Sequence, residues 1–286
     1  MKNGLLKKIM AGTLLGIMTM GFVGCGSSGN DSKGESVDLL TTIQEKGKVV
    51  VGMSADYAPY EFHYIDENGK DVIGGFDVDI ANEIASALGV ELVIQEMDFD
   101  ALVSALPAGK VDLVISGMNP TEKRAKVVDF SDVYYNSQHG ILVRAEDKDK
   151  FKTFADLEGV KVGVQLGSTQ EEIAKTEIPN VDLQQLANVN NLILELKAGK
   201  VDAIVMEKPV AEMAVKSNPE LAVGIPSYEE KTGGNAVGIA KNNPELLAKV
   251  NEVINELNET GKMDEYILKA NELAATADIV GEDEEE

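Results

Sequence analysis

The chain has 286 residues, with 26 Lys and Arg against 49 Asp and Glu, a formal charge of -23 and 44% hydrophobic residues. Such a surface repels nucleic acid, and no basic stripe with interleaved aromatics is present. Two histidines, His63 and His139, and one cysteine, Cys25, give no metal-ligand spacing, and neither a Gly-rich phosphate loop nor a Gly-x-Ser-x-Gly elbow occurs, so no metal and no cofactor are expected.

Lys2, Lys7 and Lys8 precede an uncharged apolar run from Ile9 to Val23. As a helix this run would span about 22 Å, short of the roughly 30 Å hydrocarbon core, so residues 1–24 read as an export signal and not as a permanent span. Removing the three lysines takes the net charge from -23 to about -26. The junction Phe22-Val23-Gly24-Cys25 resembles a bacterial lipobox, with Phe22 where Leu is commonest; it implies a lipid anchor on Cys25 at the extracytoplasmic face of the cell membrane. An ordinary signal peptide with a leftover thiol is the alternative. Residues 25–37, rich in Gly, Ser, Asn and Asp, read as a flexible tether, and the like-charged run 281–286 as a solvated tail.

Between them, strands alternate with amphipathic helices, which predicts mostly parallel α/β sheets flanked by helices. In chain order the pattern predicts a strand over Lys48–Met53, a short strand running into a helix over Gly75–Leu88, a strand over Val90–Gln95, a helix over Phe99–Ala108 and a strand over Val111–Ser116. A second series follows: strand Val160–Gln165, helix Thr169–Glu177, strand Val181–Leu186, helix Val189–Ala198, strand Val201–Val205 and helix Pro209–Ser217. Helices over Pro244–Asn258 and Met263–Leu273 end the fold. The extended runs Gly140–Arg144 and Asn235–Ala240 read as two hinge strands crossing between lobes. That places a discontinuous first lobe at 38–141 plus 235–280 and a second at 142–234, with a cleft between them as the favoured ligand site. A single-sheet enzyme is the alternative architecture.

The phrase AGKVDLVIS, Ala108 to Ser116, returns as AGKVDAIVM, Ala198 to Met206. Each copy reads as a helix end, a Gly-Lys turn and a strand, and ligands of parallel α/β sheets sit just past strand carboxyl ends. After the first copy come Ser116-Gly117-Met118-Asn119-Pro120-Thr121-Glu122-Lys123-Arg124, a cation with amide and hydroxyl groups; after the second comes Glu207, a carboxylate. Complementary charges on two similar units suit a small zwitterion. A chance repeat of a common helix-to-strand turn is the bland reading.

Beyond this, the chain resembles the bacterial extracellular solute-binding proteins of family 3, the amino-acid-binding lipoproteins of ABC importers, over nearly its whole mature length. The stretches that carry the resemblance are Val50 to Phe62 (VVGMSADYAPYEF), Gly75 to Ile80 (GFDVDI), Ser116 to Asp132 (SGMNPTEKRAKVVDFSD), Gly163 to Gln170 (GVQLGSTQ) and Val201 to Glu207 (VDAIVME). The resemblance implies a two-lobed type II periplasmic-binding-protein fold that closes on an L-amino acid, performs no chemistry, delivers its ligand to the transmembrane subunits of a permease, and works as a monomer.

It also implies a site. Arg124 would clamp the ligand carboxylate, chemistry that suits a guanidinium with two parallel donors and a fixed charge. The Thr169 backbone N–H, at a helix start with Ser168, would join it from the other lobe; a simple Ser/Thr helix cap is compatible with that role. Glu207 stands where relatives usually carry Asp for the ammonium, Gly117 would offer it a carbonyl, and Asn119, beside Thr121, stands where Ser or Thr is usual. Tyr57 and Phe99 match the aromatic pair that sandwiches the ligand side chain, although Phe99 could equally staple the helix it begins. Ser54 replaces an acid found in some binders of basic amino acids, a loss that Asp56, Asp98 and Glu61 could offset, and Gln165 is a polar reader of the side chain. The ligand side chain is thus left open between polar neutral and basic. Two further readings of the same fold are a dehydratase-like extracytoplasmic enzyme with Glu207 as general acid and an amino-acid-sensing lipoprotein.

Overall fold

A computed structural model describes residues 38–280 except Ser137 and Glu230. The export signal at 1–24, the lipidation site Cys25, the tether at 25–37 and the acidic tail at 281–286 lie outside the described residues. Two five-stranded sheets carry the chain. The first is ordered Glu91–Glu96, Lys48–Met53, Leu113–Val114, Asn235–Ala240, Val128–Tyr135; the second Asp182–Leu186, Lys161–Gln165, Ala203–Glu207, Gln138–Arg144, Leu221–Glu229. A smaller sheet joins Asp56–Tyr57, Glu61–Ile65, Asp71–Gly74 and Asp278–Ile279.

The two large sheets repeat one construction. Each has a central strand, Lys48–Met53 or Lys161–Gln165, paired in parallel with a strand on either side. The repeated Gly-Lys-Val-Asp phrase supplies the inner neighbour in both. Gly109 and Gly199 take left-handed backbone (φ 65° and 69°) in the turns that lead from the preceding helices into these strands. The Asp that follows then staples the central strand: Asp112 Oδ2 accepts the Val50 N–H at 2.9 Å, and Asp202 Oδ2 accepts the Lys161 N–H at 3.1 Å. Each staple fixes the strand whose far end opens on the cleft.

The sheets are not mostly parallel. Asn235–Ala240 runs antiparallel to both its neighbours, and so does Gln138–Arg144. Both strands enter their sheet directly from the other lobe and not through a helical crossover, so the crossover geometry that makes neighbours parallel does not apply. Both runs are also full members of their sheets, so the links between the lobes lie just ahead of each. Gln138–Arg144 lies whole inside the second sheet, with Gly140, Ile141, Leu142 and Val143 buried. The division placed at residue 141 therefore falls within a strand; the chain crosses between Tyr135 and Gln138, and again between Glu229 and Asn235.

The helices form where periodicity and caps predict them. Phe76–Leu88 buries Ile80, Ala81, Ile84, Ala85 and Leu88 along one stripe and ends on Gly89 at φ 71°. It begins at once after the strand Asp71–Gly74, so residues 75 onward carry no strand of their own. The helix expected to reach Ala108 spans Phe99–Ala105, because Pro107 has no N–H to continue the ladder. Helices Thr169–Glu177 and Val189–Lys197 start on side-chain caps: Ser168 Oγ accepts the Glu171 N–H at 3.2 Å, and Asn188 Oδ1 accepts the Asn191 N–H at 3.0 Å. Both helix starts face the seam between the lobes. Among the described residues no helix is long and apolar enough to cross a membrane.

Candidate functional site

The seam is built where strand ends and helix starts of the two lobes meet. From the first lobe, the loop after Leu113–Val114 delivers Ser116 to Arg124. Thr121 caps the short helix Glu122–Ala125, its Oγ1 accepting the Arg124 N–H at 3.3 Å, and this turn aims the arginine inward. The buried guanidinium donates from Nη1 to the Asn119 carbonyl at 2.8 Å and from Nη2, across the seam, to the Gly167 carbonyl at 3.1 Å. It lies 5.3 Å above the centroid of Phe99. Phe99 also packs in the cluster with Leu102, Leu106, Val111 and Met118, as a residue that staples the helix it begins would.

Asn119 reaches Thr169 at the start of the opposing helix: Thr169 Oγ1 donates to Asn119 Oδ1 at 2.8 Å, while Asn119 Nδ2 donates to the Gly234 carbonyl at 3.2 Å. Ser168 is buried and caps its own helix, its Oγ donating to the Gln165 carbonyl at 2.7 Å.

On the opposite charge, Glu207 closes the strand Ala203–Glu207 and is 1% exposed. Its Oε2 accepts from the Tyr60 hydroxyl and its Oε1 from Asn235 Nδ2 at 3.2 Å. Asn235 Nδ2 also donates to the Gly117 carbonyl at 2.6 Å, and the Gly117 N–H donates to Asp77 Oδ2 at 2.8 Å. Gly117 takes φ 52°, and a Cβ there would press at 3.4 Å on the ring of Tyr57. Glycine lets that ring close over the turn. The Tyr57 hydroxyl accepts from Gln170 Nε2 at 3.2 Å and from the Glu207 N–H at 3.3 Å, so this first-lobe aromatic is anchored to the second lobe. Burial, with Glu207 nearby, pushes its phenol well above the usual range.

Another stretch of the seam is acidic. Ser54, Ala55, Asp56, Glu96, Met97, Asp98, Ala187 and Asn188 enclose a cavity of about 270 Å³, with three carboxylates and no cation among its walls. Asp56 bridges the lobes there, its Oδ2 accepting the Val189 N–H at 2.6 Å and its Oδ1 accepting from Ser54 Oγ at 3.1 Å. Burial raises its carboxyl from 3.8 to about 6, against the lowering effect of those hydrogen bonds. Glu96 is held from behind by His63 Nε2 at 3.1 Å.

Of the residues picked from the sequence, Arg124, Phe99, Gly117, Asn119, Thr169, Tyr57, Glu207 and Asp56 meet at the seam. Thr121 and Ser168 act as caps, and Ser54 supports Asp56. Gln165 is buried with its amide donating to the Ala187 carbonyl at 3.2 Å. Glu61 is not in the acidic cavity at all: its Oε1 accepts from Ser116 Oγ at 2.5 Å and it is fully buried against Asp77. Sequence reading passed over Tyr60, Asp77, Tyr134, Gln170 and Asn235. Their type carried no local signal; Asn235, directly after Gly233-Gly234, was the one that turn chemistry could have marked.

Residues 49–270 match the family model of bacterial extracellular solute-binding proteins, family 3. The chain belongs to that family. It is 36% identical over 262 residues to the arginine-binding extracellular protein ArtP of Bacillus subtilis, covering 91% of this chain and 96% of that protein. It is 31% identical to the L-cystine-binding protein TcyJ of Escherichia coli over 87% of this chain and 91% of the relative. Among solved structures, an amino acid ABC transporter substrate-binding protein, AbpA of Streptococcus pneumoniae bound to L-arginine, superposes with a TM-score of 0.80 at 39% identity, covering 82% of this chain and 99% of that one. The fold is therefore the two-lobed α/β architecture of type II periplasmic binding proteins, with mixed sheets flanked by helices.

Proposed function

We propose that this family member captures a free basic L-amino acid, arginine foremost, between its two lobes and hands it to the transmembrane subunits of an ABC permease. It acts as a monomer held to the outer face of the cell membrane by a lipid on Cys25, and it carries out no chemistry. The observation that carries the reading is the pair of buried opposite charges, Arg124 from the first lobe and Glu207 from the second, 9% and 1% exposed on the same seam.

Desolvating an amino acid's two charges costs several kcal/mol each unless each meets a partner. Arg124, with the helix start at Ser168 and Thr169 opposite, suits the carboxylate. Glu207 and the Gly117 carbonyl suit the ammonium. The ligand bridges the lobes because its two ends are held from both sides, which is the differential contact that drives closure. For the side chain, the three carboxylates of the Asp56, Glu96 and Asp98 cavity favour a cation over a neutral amide, and arginine-binding relatives at 36–39% identity agree.

Calorimetry on the purified protein tests this with L-arginine, L-lysine, L-glutamine and L-cystine as titrants. Arginine is expected to bind tightest, and Arg124→Ala to weaken it about a hundredfold or more, the cost of removing one partner of a buried charge pair. Circular dichroism should be unchanged. Tighter binding of glutamine than arginine sinks the basic assignment; an Arg124→Ala protein that keeps its affinity sinks the carboxylate clamp.

A further inference from the structure

Beneath the ammonium end of the seam lies a second pair of acids that ligand capture leaves unexplained. Glu61, on the strand Glu61–Ile65, and Asp77, in the first turn of helix Phe76–Leu88, are both 0% exposed and close enough that each shifts the other's ionisation. Glu61 Oε1 accepts from Ser116 Oγ at 2.5 Å. Asp77 Oδ2 accepts from the Gly117 N–H at 2.8 Å and from the Tyr134 hydroxyl at 2.9 Å. That leaves Glu61 Oε2 and Asp77 Oδ1 buried with no hydrogen-bond partner. The groups that face the pair are neutral donors or further acids: Ser116 and Gly117 after the strand Leu113–Val114, Tyr134 on Val128–Tyr135, Asp56, and Glu207 at the end of its strand.

Ionised carboxylates only accept hydrogen bonds, so two of them in contact leave both inner oxygens orphaned, and like charges this close do not both persist. We infer that Glu61 and Asp77 hold one proton between them, Glu61 donating it to Asp77, and that the pair is the positioning device for the Gly117 peptide. A single proton satisfies both orphaned oxygens. It leaves Asp77 as the charged partner, the stronger acceptor for the Gly117 N–H. Burial and the neighbouring Asp77 push Glu61 well above the usual carboxyl range, and burial raises Asp77 to about 7.

The consequence reaches the ligand. Asp77 holds the Gly117 peptide by its N–H, and Asn235 holds it by its carbonyl while also holding Glu207. Glu61, Asp77, Gly117, Asn235 and Glu207 form one continuous chain whose far end faces the ammonium. That last link rests on the reading of the site given above; the shared proton does not.

Difference infrared spectroscopy of the full protein at neutral pH, wild type minus Glu61→Gln, is expected to show the C=O stretch of a neutral carboxylic acid. Its absence overturns the shared proton. Because the native state keeps a proton that the unfolded chain releases, wild-type thermal stability is expected to fall as pH rises from about 4.5 through the native titration, and Glu61→Gln to flatten that fall. For positioning, Glu61→Leu cannot donate and is expected to weaken L-arginine about tenfold by leaving Asp77 Oδ1 unpartnered, with Glu61→Gln recovering most of the loss. Leucine and wild-type proteins binding alike overturn the positioning role. If Glu61→Leu does not fold, the infrared result on folded protein still decides. A wild type that shows the acid band yet binds no arginine supports the pair and refutes the ligand assignment instead.

Discussion

Asp56 sets stability against recognition. It is 6% exposed, and burial lifts its carboxyl from 3.8 to about 6. At neutral pH it is ionised, and holding that charge in the fold costs about 3 kcal/mol relative to the unfolded chain. Asp56→Asn keeps the shape and one acceptor but removes the charge. The hydrogen bonds from Val189 N–H and Ser54 Oγ weaken with it, returning about 1–2 kcal/mol of the gain. The protein without ligand is therefore expected to be about 1–2 kcal/mol more stable at neutral pH, with its thermal midpoint a few degrees higher. A cationic side chain in the cavity loses its most buried partner, so L-arginine affinity is expected to fall about ten- to a hundredfold. The sign of the pH effect follows. Between 3.8 and about 6 the native state binds more protons than the unfolded chain, so wild-type stability declines as pH rises through that window. Asp56→Asn is expected to lose the Asp56 share of that decline and to keep the share of the Glu61 and Asp77 pair. Scanning calorimetry across pH and titration calorimetry with arginine measure both halves. A variant that is less stable and binds arginine as tightly as wild type refutes the argument.

Gly234 takes φ 134° where the chain returns to the first lobe, and a Cβ there would lie 2.1 Å from the Tyr135 carbonyl oxygen. Gly234→Ala is therefore expected to cost at least about 2 kcal/mol in denaturant unfolding, and to weaken ligand binding through Asn119, which donates to the Gly234 carbonyl. His63 stands between Asp71 at 2.7 Å and Glu96 at 3.1 Å. Burial lowers its pKa, but the two carboxylates outweigh burial and raise it above 6.5. Its contribution is fully present below 6.5 and lost as pH rises through the raised native value, so His63→Gln is expected to flatten the stability profile there, modestly because the ring is partly exposed.

Much of this protein is written locally. Caps such as Ser168 and Asn188, the stripe Ile80, Ala81, Ile84, Leu88, and the stop at Pro107 are decided within a turn or two of chain, which is why helix starts were legible to within a residue or two. Glu207 directly follows the second copy of the Gly-Lys-Val-Asp unit, whose strand points at the seam, whereas Arg124 stands beyond the first copy in the short helix Glu122–Ala125 and was legible through the motif around it. The runs Gly140–Arg144 and Asn235–Ala240 were legible as strands but not as sheet members. An apolar strand reads alike whether it crosses between lobes or is flanked on both sides, and only pairing tells these apart.

The interior acids show the limit most clearly. Glu61 and Asp77 stand on different elements, and Gly117 and Asn235 are 118 positions apart. No spacing rule says that Glu61 turns from the acidic cavity toward Asp77, or that Asn235 ties a glycine carbonyl to Glu207. Type and order of residues determined which charges this protein owns and which ends of its strands carry them. Packing alone decided which oxygens face each other in the absence of water, and there a buried carboxylate's protonation and partners depend on every neighbour within reach.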